Sequence, residues 1–185
     1  GKIYAFGKGV DIDFSKAFNW FEKAAKKGNP KAQTALGYIY ALGKGVKRDI
    51  DVARKWFEKA AKQGDLNAHY NMGYIYYRGI RVQVDYAKAK EWFEKAAEQG
   101  LDKAQFLLGI MYERGRGTNV DHSYAMYWYK QAADNGYAKA QFALGRIFRY
   151  GIGTTVDDVL AQYWLKKAAD QGDKKAIMAL KNYRL

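Results

Sequence analysis

Two histidines, a few clustered carboxylates and a series of glycine-rich turns are the residues of this chain whose types could do chemistry. His69 and His122 could ligate a metal or move a proton, because imidazole titrates near neutral pH. They fall at non-equivalent places along the chain and nothing converges on either, so both are expected to be isolated surface or half-buried rings. Asp11/Asp13 and Asp157-Asp158 could act as paired acid and base, but each cluster opens a helical stretch, where capping accounts for it. The turn Gly43-Lys44-Gly45-Val46 has counterparts at Gly7/Gly9, Gly115/Gly117 and Gly151/Gly153. These turns lie between two helical segments and not after a strand, so they are not read as phosphate-cradling loops. With no cysteine, thiolate catalysis, disulfides and cysteine-ligated metal are excluded. The inventory yields no catalytic residue, no metal ligand and no cofactor, and the chain is expected not to be an enzyme.

The elements that hold these residues follow from an internal period. Trp20, Trp56, Trp92, Trp128 and Trp164, which are all of the tryptophans, stand 36 residues apart. The alanine pairs Ala24-Ala25, Ala60-Ala61, Ala96-Ala97, Ala132-Ala133 and Ala168-Ala169 share that step. So do Gly28, Gly64, Gly100, Gly136 and Gly172, and Asp13, Asp49, Asp85, Asp121 and Asp157. A fixed period of this length is the mark of stacked supersecondary units.

Each period reads as two helices. Ala53, Trp56, Phe57, Ala60 and Ala61 make one apolar helical face, with Asp49 as its expected N-cap and Gly64 as its expected left-handed terminator. The other helix, Ala32 to Leu42, carries Ala32, Ala35, Leu36, Ile39 and Tyr40 at helical spacing. Gly37 lies in its middle, at a cost of about 1 kcal/mol against alanine. The recurrence of that glycine as Gly73, Gly109 and Gly145 implies a neighbouring helix packed too closely for a side chain. In the third repeat Arg81 replaces the second turn glycine, so a positive φ there would carry strain of about 1 kcal/mol or more. The tryptophans, the aromatic or leucine beside each, and Tyr40, Tyr76 and Tyr112 are expected in the core.

The segments Ala-x-x-Ala-Leu-Gly-x-Ile-Tyr (32–40), Gly-x-Gly-Val (43–46), Asp49 and Ala-x-x-Trp-x-x-x-Ala-Ala-x-x-Gly (53–64) resemble the Sel-one-like repeat family, a relative of the tetratricopeptide repeat. The resemblance covers essentially the whole chain. It implies an all-α, right-handed α-solenoid of 36-residue helix-turn-helix repeats whose first helices line a concave surface. It also implies an adaptor or scaffold role, commonly in bacterial envelope, secreted or host-interaction proteins. A bacterial periplasmic or secreted location is favoured on that ground alone, with a cytoplasmic one as the alternative. Some relatives staple each repeat with a disulfide; this chain, lacking cysteine, must rely on packing.

With one proline and no linker-like stretch, residues 1–185 read as a single solenoid domain. Residues 1–30 make a partial first repeat, 31–66, 67–102, 103–138 and 139–174 full repeats, and 175–185 a capping helix. Gly1 aligns with Gly37, so the reading expects a chain entered in mid-helix and trimmed from a longer protein, with self-association possible through that uncapped face. At the other end Lys181 replaces the mid-helix glycine, and Lys181, Asn182 and Arg184 give the last helix the polar side a terminal repeat needs.

Function is read from the positions that break the period. The net charge of +13 favours acidic proteins, nucleic acid or other anionic surfaces. No apolar run approaches the roughly 20 residues of a membrane span. In a tetratricopeptide-like register, one groove row is Lys31, Asn67, Lys103, Lys139, Lys175. A second is Thr34, Tyr70, Phe106, Phe142, Met178, and a third is Tyr38, Tyr74, Ile110, Arg146, Asn182. Tyr77, Arg78, Arg114, Arg149 and Tyr150 lie near the helix ends. Glu113 is the one acid in these helix bodies. The candidate partner site is therefore Lys31, Tyr38, Tyr70, Tyr74, Tyr77, Arg78, Lys103, Phe106, Arg114, Lys139, Phe142, Arg146, Arg149 and Tyr150. The expected function is a protein–protein interaction scaffold with a basic, aromatic groove for an acidic segment or domain. The alternative is a binder of nucleic acid or another polyanion, which steep salt dependence would reveal.

Overall fold

The computed structural model describes residues 1–7, 9 and 11–183, and the side chain of Phe6 lies outside that description. The expectations placed on Arg184 and Leu185 also fall outside it. Contacts divide the chain into two units, Gly1–Asp85 and the part beginning at Tyr86. The first unit holds α1 (Lys2–Phe6), α2 (Phe14–Lys26), α3 (Pro30–Leu42), α4 (Ile50–Ala61) and α5 (Leu66–Arg78). The second holds α6 (Tyr86–Ala97), α7 (Asp102–Arg114), α8 (His122–Asp134), α9 (Ala138–Tyr150), α10 (Asp158–Asp170) and α11 (Lys174–Lys181). No strand occurs among the described residues.

The local signals act as the sequence anticipates. Asp49 caps α4 by accepting from the Val52 N–H at 3.0 Å, and Asp13, Asp121 and Asp157 cap α2, α8 and α10 alike. The backbone N–H of each period-marking aspartate also donates to a first-helix carbonyl, as from Asp49 to Tyr40 at 2.9 Å and from Asp121 to Tyr112 at 2.9 Å. The same residue thus starts the second helix and ties it to the first. The mid-helix glycines mark close packing: a Cβ on Gly37 would enter the Phe57 ring, and one on Gly145 would lie 2.6 Å from Leu165 Cγ. A glycine here removes a methyl group so that two helices can share one apolar surface.

Arg81 does adopt a positive φ, 59°, at the position where other repeats have glycine. It lies 3.5 Å from the Asp51 carboxylate, an exposed contact of small worth. The equivalent Gly117 sits so near α6 that a Cβ would meet the Tyr86 carbonyl group at 2.6 Å.

The core differs from expectation in its aromatic layer. Trp128 and Trp164 are buried, Trp56 and Trp92 are half-buried, and Trp20 is 56% exposed. The next residue, Phe57, Phe93, Tyr129 or Leu165, is the one enclosed between helices. Tryptophan lies at the margin of the apolar face, and in α2, α4, α6 and α10 a lysine one turn on covers its outer side. Lys59 stands 4.8 Å from the Trp56 ring centroid and Lys95 stands 5.1 Å from that of Trp92. Tyr40, Tyr76 and Tyr112 are likewise half-buried and not central core.

A buried polar series, which the sequence reading passed over, joins the repeats. Gln33, Gln105 and Gln141 are buried and donate to the carbonyls of Ala25, Ala97 and Ala133 at 3.0–3.3 Å. Gln63 and Gln171 donate in turn to Gln33 and Gln141, each at 2.8 Å. Each of these helix-end carbonyls also accepts from the terminating glycine, Gly28, Gly100 or Gly136, so the buried amide adds a second bond there and ties the next helix to it. His69, on the same 36-residue step, is buried, with Nδ1 3.0 Å from the Asp65 carbonyl. It is a structural ring, more enclosed than expected.

Candidate functional site

In the first unit, α3 and α5 carry the candidate residues. Lys31 and Arg78 are exposed, Tyr38 and Tyr74 are just above one-third exposed, and Tyr70 is half-buried and stacked on Tyr74 at 6.1 Å. Side-chain hydrogen bonds lace this face. Asn71 donates to the Tyr38 hydroxyl at 2.8 Å, and the Thr34 hydroxyl donates to Asp65 at 2.9 Å. Burial raises the Tyr38 phenol above its ordinary range, so it stays a neutral group at physiological pH. Tyr77 is a correction. It is only 9% exposed, turned into the packed side of α5, and so offers almost no contact surface. Thr34 is buried as well.

In the second unit, α7, α9 and the start of α11 surround a cleft of about 690 Å³. Phe106, Ile110 and Phe142 form its apolar wall; Arg114, Lys139, Lys174 and Lys175 border it, together with Asp173, whose carboxylate caps α11 by accepting from the Lys175 and Ala176 N–H groups. Lys103 and Tyr150 are exposed on α7 and α9. Lys139, Lys174, Lys175 and Arg114 have no carboxylate partner among the described residues.

The floor of this cleft overturns part of the sequence reading. Arg146 was expected to present free charge, yet its guanidinium donates to Glu113 Oε1 at 2.6 Å. The Tyr129 hydroxyl donates to the other carboxylate oxygen, Glu113 Oε2, at 2.7 Å. Burial is the main cause that pushes the Tyr129 phenol far up, and the adjacent Glu113 charge adds to it, so the hydroxyl keeps its proton and serves as a donor. One carboxylate thus joins α7, α8 and α9 and leaves a floor whose charge is balanced. Arg149 is also spent internally. It donates to the Ala179 carbonyl at 3.1 Å and lies 4.2 Å from the Tyr183 ring centroid, holding the end of α11.

These two arginines could not be told from free ones in sequence, because their partners stand 33 and 30 residues away on other helices. Glu113 was visible as the lone acid of its row, and Tyr129 as the one tyrosine in a series of Phe and Leu. That pairing was the available signal. Lys174, which borders the cleft, has no place in the row that contains Lys175 and was passed over. Among the described residues no group of His, Asp and Glu could hold a metal ion, and no helix is long and apolar enough to cross a membrane.

Helix pairs repeating at a fixed step, with an open cleft in the second unit, define a helical-repeat protein. The Sel1 repeat family matches residues 1–29, 30–65, 66–101, 102–137 and 138–173, and this chain belongs to that family. The chain is similar to a Sel1 repeat protein from Oxalobacter formigenes, with a TM-score of 0.91 and 40% identity over 95% of this chain and 71% of that one. It is also similar to c5321, a protective antigen of uropathogenic Escherichia coli with an SLR fold (TM-score 0.84, 34% identity), covering 95% of this chain and 38% of that one. The fold extends to the immunity protein PA5088 of Pseudomonas aeruginosa, with a TM-score of 0.61 and 23% identity over 86% of this chain and 58% of that one. No curated protein matches the chain. The all-α solenoid class expected from the sequence is the class of these relatives. Sel1 repeat proteins generally mediate protein–protein interaction, and as scaffolds they are generally not catalytic.

Proposed function

We propose that this chain is a non-catalytic scaffold or adaptor whose first-helix surface takes up an acidic segment or domain of another protein. The observation that carries the proposal is the set of unpaired cations, Arg114, Lys139, Lys174 and Lys175, around an apolar cleft in the second unit. Cations that have no internal acid to neutralise are available for charge-assisted bonds to a partner's carboxylates. Apolar walls beside them supply the dehydrated contact area on which affinity depends. Lys31, Tyr38, Tyr70, Tyr74 and Arg78 in the first unit, and Lys103 and Tyr150 in the second, remain candidates for contact, each within its own unit. Tyr77, Arg146 and Arg149 leave the contact set because packing or internal bonds occupy them.

The test is binding of a fluorescent Asp/Glu-rich peptide, followed by anisotropy, to the intact chain and to Lys139→Glu/Lys175→Glu. Both lysines are exposed, so the double variant is expected to fold. The acidic peptide should bind, and charge reversal should weaken it about tenfold or more. Single-stranded oligonucleotide bound more tightly than the peptide, with a steep salt dependence, would replace this reading with a polyanion binder.

A further inference from the structure

The chemistry of the second unit's cleft specifies more than negative charge. Its walls, Phe106, Ile110 and Phe142, are partly buried aromatic and aliphatic side chains, and Tyr129 closes the floor. Phe106 lies 5.7 Å from Tyr129 and 5.4 Å from Tyr137, ring centre to ring centre, so its face toward the cleft is fixed by neighbours. At the floor, Glu113 already has the Arg146 guanidinium on one oxygen and the Tyr129 hydroxyl on the other. A carboxylate pushed to that depth would meet Glu113 and gain little from an arginine whose charge is already balanced. A desolvated acid without a full partner is costly. The unpaired positive charge stands higher, on Lys139, Lys174, Lys175 and Arg114. Charge and apolarity are therefore separated by depth.

We infer that this cleft recognises a peptide segment in which one large apolar side chain is flanked on both sides by acidic residues. The apolar side chain enters between Phe106, Ile110 and Phe142. The flanking carboxylates stay at the rim, on Lys139 and Lys175 at one side and on Arg114 at the other. The Glu113–Arg146–Tyr129 triad acts as the selector: it keeps the floor electrically balanced and rejects an acidic residue at the anchor position. The inference rests on the acidic-segment reading and refines it.

The experiment compares three labelled peptides of equal length on the intact chain: an acidic peptide with a central leucine, the same peptide with alanine there, and the same with aspartate. The leucine peptide should bind about tenfold or more tightly than the alanine peptide, and the aspartate peptide should be weakest. Phe142→Leu, which keeps an apolar residue in a packed position, should shrink the leucine advantage more than it lowers overall affinity. A photoreactive benzoylphenylalanine at the anchor, used on the unaltered chain, should crosslink to α7 or α9 within the cleft. Equal affinity for the three peptides, or crosslinks only elsewhere, would overturn the anchor while leaving an acidic-segment binder in place. Failure of all three to bind, or indifference to Lys139→Glu/Lys175→Glu, would overturn the parent reading and the anchor with it.

Discussion

The two units put one repeat frame to different uses. On the first-helix face of the first unit, Tyr38 and Tyr74 occupy a register whose members in the second unit are Ile110, Arg146 and Asn182. The first face is tied by the neutral Asn71–Tyr38 bond and the charge-assisted Thr34–Asp65 bond, and its hollows are of about 270 and 300 Å³. The second is opened to about 690 Å³, its floor set by an ion pair and its rim left cationic. The difference teaches that a periodic scaffold gains specificity from a few substitutions at one register position, while the residues that build the fold stay fixed.

The strongest way to break that comparison is to strike what the units share. A side chain at Gly37 or Gly145 must displace Phe57 or Leu165, and Gly→Val at either should destabilise by about 3 kcal/mol or more. Chemical denaturation should give similar losses for both. A much smaller loss in one unit would mean that its helix pair can separate cheaply. Removing the carboxylate that distinguishes the second unit comes next. Glu113→Ala leaves Arg146 and Tyr129 without their acceptor and should cost about 2 kcal/mol, whereas Tyr38→Phe in the first unit should cost about 0.5–1 kcal/mol. Equal losses would erase the distinction between an ionic and a neutral bond.

The same contrast has a pH signature. The Tyr129 phenol is raised from its ordinary value of 10.0 in the folded chain, so at pH 10 and above the unfolded chain releases this proton while the native chain holds it. Its contribution is fully present below pH 10 and is lost as pH rises toward the folded value. Tyr129→Phe should therefore lose stability less steeply than the parent above pH 10, by urea titration at several pH values. Parallel pH profiles would contradict the burial of this hydroxyl. The smallest effect is at Arg81. Arg81→Gly relieves a positive φ worth about 1 kcal/mol and gives up an exposed pair with Asp51 worth a few tenths of a kcal/mol. A net gain of about 0.5 kcal/mol is expected by denaturation, and a loss would show that the Asp51 contact outweighs the strain.

The frame was legible because its signals are local. Asp49 caps a helix three residues on, and the glycines and alanine pairs recur without insertion, so element type and order could be read directly. The mid-helix glycines even disclosed close helix packing before its partner, Phe57 or Leu165, was known. The tryptophans misled because recurrence marks a structural role and not depth: Trp56 lies under Lys59 at the edge of the apolar stripe. The groove was half legible. Lys139 and Lys175 line the second unit's cleft, but no sequence spacing says that Arg146 reaches Glu113, or that Arg149 turns to Ala179. Which charges remain free depends on contacts between repeats, and those exist only once the helices are stacked. Charge reversals at Arg146 or Arg149 would accordingly report stability before binding.

The specificity inferred for the second unit's cleft is for acidic segments carrying an apolar anchor. Selection of a random peptide library displayed on phage against the intact chain, in parallel with Lys139→Glu/Lys175→Glu, tests it most directly. The account predicts enriched sequences with acidic residues on both sides of a large apolar one, and loss of that enrichment on the double variant. Enrichment of basic or uncharged sequences, or the same acidic sequences recovered on both proteins, would contradict it.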